Sequence, residues 1–299
     1  MSRFAEVPGG AGLDERLLAL RLDPEDVYVA VQDYLDEDLS HARRDVTSES
    51  IFGPDHKSTV AITARADGLL AGLPVAHAVF HAMPGDVRFE YLAKEGARIR
   101  AGQVLARVTG PTRSLLAAER TALNLLCRMC GVATHTRRFA DVLADWHTTV
   151  LDTRKTTPGL RAFEKYAVRA GGGDNKRMGL YDVAMIKDNH KEAAGSISEA
   201  FAAVRSAEPD VDIQVEVETL EEALEAVAAG AVFLLCDNMS PKELAEVVET
   251  VGERAELEAT GRITLDTAVE YAATGVDYIS VGALTHSSPI LDIGLDFEE

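Results

Sequence analysis

The sequence predicts an α/β protein in two parts, an α+β segment followed by parallel strands in an α/β barrel. Three observations carry this expectation. After the long helical run ending at LAD (143–145), short apolar strands alternate with amphipathic helices. Before residue 110, helices and strands mix without that alternation. In the second part a charged or small residue stands at nearly every strand end.

In the first part PEDVYVAVQDYLDEDL (24–39) and GLPVAHAVFHAM read as helices from their apolar spacing. STVAITARADG, VRFEYLAKEGARI and GQVLARVTG read as strands separated by turn residues, and EGARIRAGQVLARVTG as an ordinary hairpin. From Pro111 a long helix pattern runs through SLLAAERTALNLLCRMCGVATHTRRFADVLAD. The second part supplies the strands TTVLDT, VAMIKDN, DIQVEVET, VFLLCDN, ELEAT and YISVG. Between them lie the helices ISEAFAAVRSA, LEEALEAVAAG, PKELAEVVETV and TLDTAVEYAATG. Without a single nucleotide-binding glycine fingerprint, this alternation predicts about six to eight βα units in a barrel.

Barrels carry their chemistry at strand C-termini. Here those ends bear Asp152 with Arg154 and Lys155, Lys187 with Asp188, Glu216 with Glu218, Asp237, Glu258 and Gly282. Buried strands are otherwise apolar, so such charges have a desolvation cost that a functional site explains. ATGRITLDTA places Thr260, Gly261 and Arg262 before a helix, and VGALTHSSP places Gly282 to His286 after the last strand. Small residues there let backbone N–H groups approach a phosphate at a helix N-terminus. The alternative is that Thr260 and Thr264 are plain N-caps.

Composition narrows the function classes. The 299 residues are 46% hydrophobic, enough for one large domain or two unequal ones. Lys+Arg 30 against Asp+Glu 49 gives a net charge of -19, which argues against sequence-independent binding to nucleic acid or to an anionic membrane. Acidic residues such as Glu218, Glu221, Glu222 and Glu225 fall on expected solvent faces, an acidic surface like that of a salt-adapted protein. Against this background the segment from Asp152 to His190 gathers Arg154, Lys155, Lys176, Arg177 and Lys187 around glycines. Guanidinium forks and ammonium points together suit a small ligand with several carboxylate or phosphate groups.

The three cysteines give no disulfide framework, so a reducing cytoplasm is the expected compartment. Cys127 and Cys130 form a CxxC inside an apolar helical run and read as packed core, with no metal assigned to them. MSRFAEVPGG has no apolar signal core, and no stretch approaches the ~20 apolar residues of a membrane span.

The run DTRKTTPG, the pattern GGGxNxRxGLYD followed by xxIKDNH, the VEVET strand, the DN at 237–238 and GVDYISVGALTHSSPILDIGLD resemble the quinolinate phosphoribosyltransferase family over nearly the whole chain. The resemblance implies an N-terminal α/β sandwich domain (1–115), a C-terminal open, incomplete TIM-like α/β barrel (116–285), and a tail (286–299) returning to the first domain. It also implies a homodimer or a hexamer built as a trimer of dimers, with the sandwich domain of one subunit closing the barrel site of the next. The implied reaction transfers phosphoribosyl from phosphoribosyl pyrophosphate (PRPP) to quinolinate with decarboxylation, using Mg2+. Its products are nicotinate mononucleotide, pyrophosphate and CO2, a step of de novo NAD biosynthesis by a type II phosphoribosyltransferase.

On that resemblance the quinolinate carboxylates fall to Arg154, Lys176, Arg177 and Lys187, with Arg120 of the ERTALN segment reaching across the dimer. PRPP falls to Lys155, Glu216, Asp237, Thr260, Gly261, Gly282 and His286. Glu216 and Asp237 are the implied metal ligands, and Lys155, Lys187, Glu216 and Asp237 the implied catalytic set. The chain departs from the family pattern twice: Asn175-Lys176-Arg177 stands for Asn-His-Arg, and Ala259-Thr260-Gly261-Arg262 for Ala-Ser-Gly-Gly. Three rival readings remain at this stage: transfer to nicotinate or another base, a barrel aldolase with Lys187 as Schiff-base lysine, and an anion-binding paralogue without turnover.

Overall fold

The computed structural model describes residues 12–298, so the MSRFAEVPGG segment lies outside the described residues. In chain order the elements are α1 (Leu13–Ala19), α2 (Pro24–Leu39), α3 (Val46–Ile51), β1 (Lys57–Ala64), β2 (Gly68–Leu69), α4 (Leu73–His81), β3 (Arg88–Tyr91), β4 (Arg98–Ile99), β5 (Val104–Pro111) and α5 (Thr112–Val142). There follow β6 (Thr149–Leu151), α6 (Arg161–Gly171), β7 (Ala184–Ile186), α7 (Asp188–Ala194), α8 (Ile197–Ala207), β8 (Ile213–Val217), α9 (Leu220–Ala228) and β9 (Phe233–Asp237). The chain closes with α10 (Pro241–Val251), β10 (Glu256–Thr260), α11 (Ala268–Ala272), β11 (Tyr278–Ser280), α12 (Ala283–His286) and β12 (Ile293–Phe297). They form two compact units. One comprises residues up to His135, Thr157–Gly172 and Ser288 onward; the other comprises Thr136–Thr156 and Gly173–Ser287.

The first unit is built on an antiparallel sheet ordered β12-β1-β5-β3. Helix α2 starts where Asp23 accepts the Glu25 and Asp26 amides and Pro24 presets the first turn. It buries Val27, Val31, Leu35 and Leu39, one residue per turn. Helix α4 is apolar nearly all round and correspondingly enclosed. The last strand of the chain, β12, pairs antiparallel with β1 in the register Val60↔Phe297 to Ala64↔Ile293. On its way there the chain passes close over α5 at Gly131, where a Cβ would stand 2.1 Å from the Pro289 carbonyl oxygen. Only glycine leaves room for that crossing.

The hairpin expected from EGARIRAGQVLARVTG does not form. Strand β5 has both edges taken, by β1 and by β3, so β4 pairs instead with β2 (Gly68↔Ile99). The intervening turn bonds back to the end of β1, with Gly102 N donating to Ala64 O at 2.8 Å and Ala64 N to Gln103 O at 3.0 Å.

Two carboxylates brace this unit. Glu164 on α6 is fully buried and accepts Arg128 Nε at 2.9 Å and Nη2 at 2.8 Å, and the amide and hydroxyl of Thr157 at 3.0 and 2.9 Å. Arg128 also donates from Nη1 to Ser288 O at 3.0 Å. Glu95 caps the start of α4, accepting the Gly72 and Leu73 amides and the Tyr166 hydroxyl. Desolvation nonetheless pushes its carboxyl up to about 7. Because the folded-state value lies above the ordinary 4.5, this group favours the fold below that pH, and its contribution is lost as pH rises through about 7. Glu95→Gln is therefore expected to remove roughly 2 kcal/mol of the stability decline across that window. Thermal melts at several pH values check this; an unchanged slope in the variant refutes it.

Cys127 and Cys130 are both buried, with Cys127 Sγ donating to Ile293 O at 3.7 Å and Cys130 Sγ to Ala71 O at 3.4 Å. Among the described residues no helix is long and apolar enough to cross a membrane.

The second unit is a six-stranded parallel sheet ordered β6-β11-β10-β9-β8-β7. Its edge strands β6 and β7 do not pair with each other, which leaves the barrel open. Ser196, Thr219 and Ser240 cap α8, α9 and α10 by accepting the amides of Glu199, Glu222 and Glu243. Such caps fix where each helix leaves its βα loop. Within β8 all five residues are buried although two are polar, Gln214 and Glu216. Their spacing of two points both to one face.

The helix expected from TLDTAVEYAATG is shorter than predicted and begins only at Ala268. Thr264 and Thr267 form a local turn, with Thr264 N donating to Thr267 Oγ1 at 3.0 Å, and that turn replaces the first helical turn. Gly261 and Arg262, with φ of 110 and 51, therefore lie in a left-handed turn several residues before the helix, not at its N-terminus.

Candidate active site

The interior face of the second unit follows from strand periodicity. Side chains two apart share a face, so Met185 continues to Lys187, Gln214 to Glu216, Leu235 to Asp237, Glu258 to Thr260, and Tyr278 to Ser280. A cavity of about 510 Å³ is lined by Thr153, Arg154, Lys155, Lys176, Arg177, Met185, Lys187, Asp188, Glu216, Leu235, Asp237, Thr260 and Ser280. Every one of the six strands contributes its C-terminal end or the loop that follows it. Strands at opposite edges of a flat six-stranded sheet would lie about 24 Å apart at ~4.8 Å per step. Sharing one cavity of this size requires the sheet to curl.

The loop after β6 is fixed from below. Fully buried Asp152 accepts Asn175 Nδ2 at 2.6 Å and Lys176 N at 2.9 Å, and Leu151 bridges Asp174 in parallel. This ties the DNKR segment alongside β6 and brings Arg154 and Lys155 to the same wall as Lys176 and Arg177. Thr285 donates to Lys155 O at 2.9 Å, and Thr153 Oγ1 accepts Lys155 N at 3.1 Å. Asp182 holds the following RMGLYD turn by accepting the Met178 and Gly179 amides.

The cations are not equivalent. Lys187 Nζ lies 2.6 Å from Glu216 Oε2, and Lys176 Nζ lies 2.6 Å from Glu258 Oε1. Arg177 donates from Nη1 to Val183 O at 2.8 Å, but its Nε and that of Arg154 are buried without a hydrogen-bond partner. Burial and then the neighbouring Arg154 charge pull Arg177 below the ordinary guanidinium range. Two crowded guanidinium groups with orphaned donors are stabilised by an anion, which supplies both acceptors and countercharge. Among the carboxylates, burial and the Glu216 charge raise Asp237 above its ordinary value, against the opposing pull of Lys187, Asn238 and Lys155.

Of the residues singled out in the sequence, Arg154, Lys155, Lys176, Arg177, Lys187, Glu216, Asp237 and Thr260 line this cavity. Gly261, Gly282 and His286 belong to the same unit but are not among its lining residues. Gly282 sits beside the wall, since a Cβ there would stand 3.1 Å from Lys155 Cδ, and exposed His286 bonds Ser287 Oγ at 2.6 Å. Glu218 faces solvent beyond β8. Arg120 lies on α5 of the first unit, with a side chain 64% exposed. Sequence reasoning gave Gln214 no role; the available signal was its position two residues before Glu216 in an otherwise apolar strand.

A six-stranded open barrel whose strand ends converge on cations and carboxylates defines an enzyme of the anion-handling α/β-barrel class, acting on small molecules. The family pattern described as "Quinolinate phosphoribosyl transferase, C-terminal domain" matches residues 132–296, and its N-terminal counterpart matches residues 45–130. The chain is 44% identical over 267 residues to the nicotinate-nucleotide pyrophosphorylase (carboxylating) of Mycobacterium leprae, covering 88% of this chain and 94% of the relative. It is 37% identical over 273 residues to the quinolinate phosphoribosyltransferase (decarboxylating) 1b of Nicotiana tabacum, covering 85% and 77%. The solved nicotinate-nucleotide pyrophosphorylase from Francisella tularensis superimposes with a TM-score of 0.87 at 34% identity, covering 92% of this chain and 96% of that one. The chain belongs to the quinolinate phosphoribosyl transferase family.

Proposed function

We propose that the protein transfers phosphoribosyl from PRPP to quinolinate and decarboxylates the adduct, releasing nicotinate mononucleotide, pyrophosphate and CO2. The observation that carries this reading is the set of five cations, Arg154, Lys155, Lys176, Arg177 and Lys187, lining one cavity together with Glu216 and Asp237. A pyridine dicarboxylate and a phosphorylated sugar together need that many cations, and a transition state with positive charge on the sugar needs the carboxylates.

Arg154 and Arg177 present their unpartnered donors to the quinolinate carboxylates, with Lys176 and Lys187 completing the wall. Lys155 and Thr260 take the phosphate side. The pyridine nitrogen lone pair forms the new bond to the anomeric carbon as the bond to pyrophosphate oxygen breaks. Asp237 and Glu216 stabilise the positive charge that develops between those events. The resulting pyridinium then accepts the electron pair of the carbon–carboxylate bond, CO2 leaves, and the ring carbon takes up a proton. No protein nucleophile is needed; positioning and charge complementarity do the work.

Glu216 and Asp237 fit Mg2+, because their mutual repulsion is relieved by a cation. Two carboxylates are the number through which Mg2+ is usually held together with substrate phosphate oxygens. When bound there, Mg2+ would neutralise charge on the departing pyrophosphate. A homodimer or trimer of dimers in the cytoplasm is the assembly and location proposed with this activity, on the family resemblance.

The deciding assay follows nicotinate mononucleotide and CO2 together, with quinolinate, PRPP and Mg2+. Equimolar products, reduced at least about 100-fold by Lys187→Ala, support the reading. Turnover with nicotinate but not quinolinate would reject the dicarboxylate pocket.

A further inference from the structure

Behind the cavity wall a buried polar strut crosses the inside of the curved sheet. Glu258 on β10 has no exposed surface, and both its oxygens are engaged: Oε1 by Lys176 Nζ at 2.6 Å and Oε2 by Gln214 Nε2 at 2.7 Å. Gln214 is 1% exposed, and the Lys176 side chain 10%. Strands β8 and β10 are not neighbours, since β9 lies between them. The Gln214–Glu258 bond therefore spans the interior above Leu235, which pairs with Glu216 on one side and Glu258 on the other.

A buried carboxylate costs several kcal/mol unless paired and hydrogen-bonded, and here each oxygen has one partner. A lysine side chain loses rotamer freedom when it is fixed. Both costs are met at one place, where Lys176 also lines the substrate cavity and a smaller cavity of about 250 Å³ that Gln214 helps to line. The bond to Glu258 holds the ammonium at that junction.

We propose that Glu258, held by Gln214, is a positioning residue that fixes Lys176 on the cavity wall and so sets recognition of the acceptor's carboxylates. The inference rests on the quinolinate reading above and adds two residues that touch no substrate themselves. It predicts a selective effect: the base side weakens and the PRPP side does not.

The test uses full-length wild type, Glu258→Gln, Gln214→Leu, Lys176→Met and Lys176→Met/Glu258→Gln. Quinolinate affinity is read by calorimetry, and KM for each substrate by turnover. Glu258→Gln is expected to weaken quinolinate at least tenfold, with the PRPP KM unchanged within about twofold. Gln214→Leu should weaken quinolinate less and in the same direction, and it serves as the informative variant should Glu258→Gln fail to fold. The double variant should match Lys176→Met within about twofold, because Glu258 acts only through that lysine. Quinolinate bound as well or more tightly in both Glu258→Gln and Gln214→Leu overturns the proposal. Equal losses for both substrates, or additive losses in the double variant, overturn it too. A wild type that turns over PRPP only with another base fails the quinolinate reading itself, which separates the two failures.

Discussion

Asp237→Asn is expected to slow phosphoribosyl transfer about 100- to 1,000-fold with little change in fold. The substitution keeps shape and removes the negative charge that the proposed reaction sets against positive charge developing at the anomeric carbon, and electrostatic groups of this kind contribute on that scale. Asp237 sits at the end of β9 with Asn238 Nδ2 donating to its Oδ2 at 2.8 Å, so its carboxylate is oriented before substrate arrives. Burial and the Glu216 charge raise its pKa, so it takes up a proton at higher pH than an ordinary aspartate. Activity should therefore fall on the acid side with a midpoint displaced upward from the usual carboxylate value. The kcat/KM profile of the wild type should show that limb and the profile of Asp237→Asn should lack it. A limb that survives the substitution unchanged assigns it to another group.

Arg128→Met is expected to destabilise the first unit by about 3 to 5 kcal/mol, because it leaves the fully buried Glu164 carboxylate without its cation. Thr157 continues to donate two hydrogen bonds, which offset part of the desolvation but none of the charge. For a unit of this size the loss corresponds to a fall in Tm on the order of 10 °C. Arg128→Met/Glu164→Leu should recover much of it, since an apolar pair replaces a buried ion pair at low cost. Differential scanning calorimetry of the three proteins decides the matter. A single variant as stable as wild type shows that the guanidinium contributes nothing net.

What was legible in the sequence was local. The SPKE box at Ser240 marks the start of α10, FLLCD reads as a strand because apolar residues run uninterrupted up to Asp237, and IQVEV because its β-branched residues alternate with Gln214 and Glu216. The cationic segment from Asp152 to His190 was visible because glycines and cations are rare together in so acidic a chain. What was not legible depends on pairing between distant residues. The β4–β5 hairpin failed because β5 has two other partners, a fact fixed by strands far away in sequence. The Gln214–Glu258 bond requires knowing that β9 intervenes and which residues share its level. The late start of α11 turns on a side chain, Thr267, bonding the backbone in place of a helical turn.

The pairing of β12 with β1 reverses the order in which the two units can be finished. The second unit ends at Ser287, whereas the first unit's four-stranded sheet lacks one edge until residues 293–297 are available. During synthesis the unit begun first is thus completed last, and β1 waits with an unpaired edge while more than half the chain is still being made. Such an edge is a template for wrong partners.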